Sequence, residues 1–206
     1  MLMRKVMQKV LLSRAAYVFL GMAALLTRQG WVQAQLMAQA PGQEICEDNP
    51  ERASSIRKTV DVPELGIRVE IPENFRVALM PRGVHEIISE SEFELLSCGA
   101  RGGYVRGRGR YVEEIGIVEN PSQLDSLTLI INTIQESIYR EGQSVFYTGE
   151  LFSAIVVNAP SRTGFGNIGA WIQNPSSQEV VFVKIGCDCD VDLTSMFRIL
   201  SRMSFL

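Results

Sequence analysis

The sequence contains a single histidine, His85, and no second long apolar run after the one near its start. One imidazole excludes a multi-histidine metal site and leaves only one such group for acid–base chemistry. A G-x-S-x-G motif, which would expose a nucleophilic serine, is also absent. We therefore predict no catalytic residue, no cofactor and no metal site, and we interpret His85 as a half-exposed residue of a strand.

Charge is distributed unevenly along the chain. Residues 1–34 carry five cations and no acid, whereas the remainder carries fifteen cations against 23 acids, a net charge of −8. The basic start is followed by twelve apolar or small residues, 15–26, and by a polar segment ending at Ala34, which is the form of a secretory signal. Twelve helical residues span about 18 Å, well short of a hydrocarbon core of about 30 Å, which favours a cleaved signal over an anchor. We predict export to the periplasm, the thylakoid lumen or the extracellular space.

Three segments follow from this composition. Residues 1–34 are the predicted signal peptide, and residues 35–57, rich in Gln, Pro and Glu, are predicted to be a flexible N-terminal segment. Residues 58–206 are predicted to form a single domain, because apolar residues there recur at regular spacing. Alternation with a period of two indicates strands. These strands are predicted at 59–62, 66–71, 75–80, 84–89, 111–118, 164–173 and 179–187, and residues 144–157 are predicted to form two short strands or one strand bent at Gly149.

Two further segments have helical periodicity. The first is a long mid-chain helix, with Ser122 and Asp125 as a capping box and Gly142 as a left-handed C-cap. The second closes the chain and is capped by Asp190 or Asp192. The mid-chain stripe consists of Leu124, Leu127, Ile130, Ile131, Ile134 and Ile138. The terminal stripe consists of Leu193, Met196, Phe197, Leu200 and Met203. The predicted class is α+β: an antiparallel β-sheet flanked by the long mid-chain helix and the C-terminal helix.

The order of these elements resembles that of a known family. Residues 66–75 read Gly, an alternating apolar strand and then Pro-x-x-Phe, and residues 202–205 close the chain with Arg-Met-Ser-Phe. Together with the long mid-chain helix and the three-strand return, these residues resemble the PsbP-like superfamily, the extrinsic photosystem subunit and its relatives. The resemblance covers roughly residues 58–206. It implies an antiparallel sheet sandwiched by helices, and no functional residue is transferred from it.

Four cysteines form an even set, which in an exported chain predicts two disulfides. Three pairings are possible. Cys187 and Cys189 flank one residue of a predicted strand, so closing so small a ring would distort the backbone. We therefore predict that Cys98 is bridged to one of this pair and Cys46 to the other. The alternative is a redox or soft-metal site formed by the Cys-x-Cys pair.

A glycine-rich stretch concentrates positive charge in an otherwise acidic domain. It contains four arginines within ten residues, Arg101, Arg106, Arg108 and Arg110. Export argues against RNA as the ligand, and two interpretations stay open: a solvated connector, or a loop whose guanidinium groups and backbone N–H groups bind a carboxylate, phosphate, sulfate or lipid headgroup.

Two functions are consistent with these features. The first is an exported, non-enzymatic binding or assembly-accessory protein. Its predicted partner is a protein or an anionic species, which includes a membrane surface and excludes nucleic acid. The second is a small cysteine-dependent redox or soft-metal-binding protein that uses the Cys-x-Cys pair. No feature of the sequence indicates an oligomeric state.

Overall fold

The computed structural model describes residues 44–47, 49–105, 111–159, 165–189 and 191–206. None of the helices within these ranges has the length and apolar character needed to cross a bilayer. The helices are α1 (Glu90–Ala100), α2 (Ser126–Gln135) and α3 (Leu193–Leu200). The strands are β1 (Ile45–Cys46), β2 (Arg57–Val62), β3 (Ile67–Pro72), β4 (Phe75–Leu79), β5 (His85–Ser89), β6 (Tyr104–Val105), β7 (Val112–Ile117), β8 (Gln143–Thr148), β9 (Ser153–Ala159), β10 (Gly166–Gln173), β11 (Val180–Cys187) and β12 (Met203–Phe205).

The described strands form one large and two small sheets. The large sheet is antiparallel throughout, in the order β4-β5-β7-β11-β10-β9-β8. A three-stranded antiparallel sheet has the order β12-β3-β2, and β1 pairs with β6 in parallel. The predicted α+β class with a large antiparallel sheet is confirmed.

Both faces of the large sheet carry buried apolar side chains, as strand alternation requires. On β10, Ile168 and Ile172 face a core shared with the three-stranded sheet and α3, whereas Trp171 between them faces α2. Tyr139 stands edge-on to Trp171, with ring centroids 5.1 Å apart. The sheet is therefore covered on one side by α2 and on the other by the small sheet with α3.

The mid-chain helix differs from its prediction. Helix α2 has ten residues, and its N-cap is Asp125, whose carboxylate accepts a hydrogen bond from the Thr128 N–H at 3.0 Å; the predicted capping box beginning at Ser122 is wrong. A separate 3₁₀ turn, Ile138–Glu141, follows it, and Gly142 has φ −77°, so the predicted left-handed C-cap is also wrong. The helix ends early because the chain must return towards β8.

Burial on these helices also departs from the predicted stripes. In the mid-chain stripe, Leu127, Ile131 and Ile138 are exposed, and Leu129 is buried instead. The N-cap of the terminal helix is Asp192, which is one of the two predicted candidates. The helix ends at Leu200, before the last residue of the predicted stripe. Met203 therefore lies in β12, where it pairs with Val69 of β3. A three-residue edge strand is too short for periodicity to reveal.

Candidate anion-binding site

A cavity of about 250 Å³ lies between the three-stranded sheet, helix α3 and one end of the large sheet. Its lining combines charged side chains with apolar ones. The charged lining residues, together with one tyrosine, are Arg57, Glu70, Tyr111, Glu113, Arg198 and Arg202. None of the three arginines makes an ion pair within 4 Å with a carboxylate among the described residues. Three guanidinium groups around one cavity are an arrangement suited to an anion.

The three arginines reach this cavity from two parts of the chain. Arg57 is the first residue of β2, where it pairs with Pro72 of β3. Arg198 lies in the last turn of α3, and Arg202 lies two residues beyond the helix, where its N–H donates a hydrogen bond of 2.9 Å to the Ile199 carbonyl. The Arg202 carbonyl accepts a hydrogen bond of 2.9 Å from the Glu70 N–H, which fixes this turn against β3.

Tyr111 and Glu113 supply the large sheet's side of the site. Glu113 lies in β7, opposite Ile185 of β11, and is half-buried. Tyr111 precedes β7 by one residue, and its hydroxyl donates a hydrogen bond of 2.8 Å to the Glu113 carboxylate. Because alternate strand residues share a face, the spacing of two brings both side chains to the cavity.

The charges of these groups affect one another. Burial raises the pKa of Glu113, although the Tyr111 hydroxyl and the three arginines act in the opposite direction. Burial, together with repulsion from Arg57 and Arg198, lowers the pKa of Arg202. Burial and the Glu113 charge raise the pKa of Tyr111, so its hydroxyl stays protonated. Arg202 therefore lies close to two like charges, and an anion bound beside it would relieve their repulsion.

The predicted arginine loop is only partly described. Arg101 follows α1, is exposed, and lines an open cleft with Glu44, Glu47 and Glu94, which is an acidic and not an anion-binding environment. The other three predicted residues, Arg106, Arg108 and Arg110, lie outside the described residues. Arg110 directly precedes Tyr111 in the sequence.

The predicted disulfide pairing is wrong. Cys46 is bridged to Cys98, with their Cα atoms 5.8 Å apart. The parallel pairing of β1 with β6 carries Cys46 to the end of α1, and the bridge covers Gly103. Residues 45–46 are therefore held against the domain.

The second bridge joins Cys187 to Cys189, with Cα atoms 5.0 Å apart. The prediction rejected this ring because it assumed an extended strand, in which alternate Cα atoms lie about 6.6 Å apart. Strand β11 ends at Cys187, as predicted, but the chain bends at the next two residues and does not continue as a strand to Cys189. Gly166 makes room for this bend, because a Cβ there would lie 3.0 Å from the Cys189 carbonyl oxygen.

His85 is buried, with 8% of its surface exposed, so its interpretation as half-exposed is wrong. It lies on β5, the second strand from one edge of the large sheet, and pairs with Ile115 of β7. Sequence reasoning missed Arg57, Arg198 and Arg202, which come from distant parts of the chain. The available signal was the i, i+4 spacing of Arg198 and Arg202 in the predicted terminal helix, whose other face is apolar.

No family model matches the sequence, and no curated protein matches it. The chain is similar in structure to cyanobacterial PsbP from Synechocystis sp. PCC 6803, a solution structure, with a TM-score of 0.40, 7% sequence identity, and coverage of 78% of this chain and 97% of that one. The likeness is to the fold of that protein alone.

Proposed function

We propose that this chain is an exported, non-enzymatic binding or assembly-accessory protein of an extracytoplasmic compartment, and that it recognises an anionic partner. The observation that carries the proposal is the group of three guanidinium groups, Arg57, Arg198 and Arg202, around one cavity in a domain of net negative charge. Guanidinium groups form paired hydrogen bonds with carboxylates and phosphates, so they give orientation as well as attraction.

Export is supported by two independent features. The first 34 residues have the form of a secretory signal, and all four cysteines are bridged. The proposed compartments are the periplasm, the thylakoid lumen and the extracellular space. The proposal assigns no catalytic residue to the cavity; its groups bind and orient a partner.

The test compares two variants that lose the same charge. The cavity variant replaces Arg57, Arg198 and Arg202 with Gln; the control variant replaces Arg52, Arg68 and Arg140, which do not line the cavity. Partner capture from the native extracytoplasmic fraction and sedimentation with phosphatidylglycerol vesicles are measured at low and high salt.

We expect the cavity variant to bind more weakly, because it lacks the charges that attract the anionic partner. Its binding should also depend less on salt, since salt acts by screening exposed charges, over about 8 Å at physiological ionic strength. The control variant should bind like the wild type. Equal loss of binding in both variants would show that binding depends only on the net charge of the protein, and this would overturn the proposal. A third variant, with Arg101, Arg106, Arg108 and Arg110 replaced by Gln, tests whether the glycine-rich loop contributes to the same surface.

A second candidate function is cysteine-dependent redox or soft-metal chemistry. The observation favouring it is that Cys187 and Cys189 are bridged to each other, with Cys189 exposed at the end of β11. An external dithiol that reduced this bridge would itself be oxidised to a disulfide, leaving two thiols able to bind a soft metal. Thiol counting after mild dithiol treatment tests it: release of two thiols from this pair, with Cys46–Cys98 intact, supports exchange, and resistance contradicts it.

A further inference from the structure

The arginine-lined cavity has a second chemical character besides charge. Its apolar lining includes the half-buried Phe75 and the side chains of Ile87 and Ile199, each 7% exposed, whereas Val69 and Ile71, each 1% exposed, present almost no surface to it. Arg57, Arg198 and Tyr111 lie at exposed positions. The site therefore changes from charged at its surface to apolar in its depth.

The charges around the cavity limit the charge of a ligand. Three guanidinium groups face the Glu113 carboxylate, and Glu70 lies beside Arg202. Asp192 adds a third carboxylate near Tyr111. These three carboxylates balance the three guanidinium groups when all are ionised; with Glu113 protonated, the form that its burial favours, the surplus is one positive charge. A ligand with one negative charge matches this surplus better than a phosphate monoester, which carries about −1.5 to −2 at neutral pH.

We infer that this cavity binds a small amphipathic carboxylate, with the carboxylate among Arg57, Arg198 and Arg202 and a short apolar body against the buried isoleucines. The inference rests on the proposed function and names its ligand class. A volume of about 250 Å³ falls just below the range of about 300–1,000 Å³ for drug-sized ligands, so the apolar body is small. An inorganic anion would contact the guanidinium groups and leave the apolar walls unused.

The test is a titration of the purified chain with acetate, butanoate and hexanoate, followed by NMR chemical shifts. Each added methylene should lower the Kd about fourfold until the cavity is full, because burying one methylene contributes about 0.8 kcal/mol. Arg202→Gln should weaken hexanoate binding about tenfold, since it removes a charged hydrogen-bond donor. Arg140→Gln, outside the cavity, should bind like the wild type.

Two further probes separate the inference from the proposed function. Ala53→Phe places bulk at an exposed position of the cavity lining; it should weaken hexanoate more than acetate, with thermal melting as the folding control. Phosphate and 1-hexanol should bind more weakly than hexanoate. If phosphate binds through Arg202 and chain length has no effect, the inference fails while anion recognition stands. If 1-hexanol binds as well as hexanoate, or if no anion binds, both fail.

Discussion

The hydroxyl of Tyr111 donates a hydrogen bond of 2.8 Å to the carboxylate of Glu113, and this pair is the polar part of the large sheet's wall of the arginine-lined cavity, beside Phe75 and Ile87. The bond stabilises the charged form of Glu113, whereas burial of the carboxyl group favours the neutral form. Burial is the larger effect, so the pKa of Glu113 is raised. The protonation of this one carboxyl group sets how much positive charge the cavity presents to a ligand.

Replacing Tyr111 with Phe should raise the pKa of Glu113 further, because the substitution removes a hydrogen bond to the carboxylate and leaves the burial of the group in place. The measurement is the carboxyl ¹³C chemical shift of Glu113 against pH in the wild type and in Tyr111→Phe. The exposed Glu119 serves as an internal reference in the same spectra. An unchanged or lowered titration midpoint would show that the hydroxyl does not stabilise the charge.

Glu113→Gln should make the protein more stable at neutral pH. A carboxyl group whose pKa is raised in the folded state favours folding below its usual value of 4.5, and this contribution is lost as the pH rises through the raised value. The variant's advantage should therefore be small at pH 4 and grow towards pH 7. Urea unfolding at both pH values measures it, with Glu119→Gln as the control. An advantage that is largest at pH 4 would contradict the sign.

The sequence predicts features formed by residues close together in the chain, and it does not predict contacts between residues far apart in it. Strand alternation and the turn at Pro63–Leu65 are local, and the hairpins they define are confirmed. The disulfide pairing depends on where β11 ends and the chain bends, which the alternation of Cys187 with its neighbours does not reveal. Arg57 and Arg202 both line the cavity, and they come together because β12, which follows Arg202, pairs with β3 in the same sheet as β2. Periodicity contains no information on that contact.

Tyr139→Phe should leave stability unchanged or increase it by up to about 1 kcal/mol. The Tyr139 ring is 4% exposed and packs edge-on against Trp171, while its hydroxyl finds no hydrogen-bond partner among the described residues. Phe keeps the ring contact and removes a buried polar atom. Chemical unfolding followed by tryptophan fluorescence measures the change, with Tyr139→Ala as a comparison that should cost about 3–5 kcal/mol. Destabilisation of more than about 1 kcal/mol in Tyr139→Phe would show that the hydroxyl contributes to the fold.

Gly103→Ala should destabilise the protein by about 1–3 kcal/mol, because the glycine lies directly beneath the Cys46–Cys98 bridge. An added Cβ would overlap the Cys46 sulfur and lie 2.6 Å from the Cys98 sulfur. Gly116→Ala is the matched control, since a Cβ there meets its nearest neighbour, a methyl group of Val84, at an ordinary 3.6 Å.

A double-mutant cycle isolates the contact between Gly103 and the bridge. Replacing both Cys46 and Cys98 with Ala removes the two sulfur atoms and should itself cost about 2–4 kcal/mol, because the bridge closes a long loop with a sequence separation of 52. In that background the penalty of Gly103→Ala should shrink. It should not vanish, because the Cys98 carbonyl oxygen remains 2.9 Å from the added Cβ. An equal penalty in both backgrounds would mean that the sulfur atoms do not require glycine at this position, and that the carbonyl contact alone does.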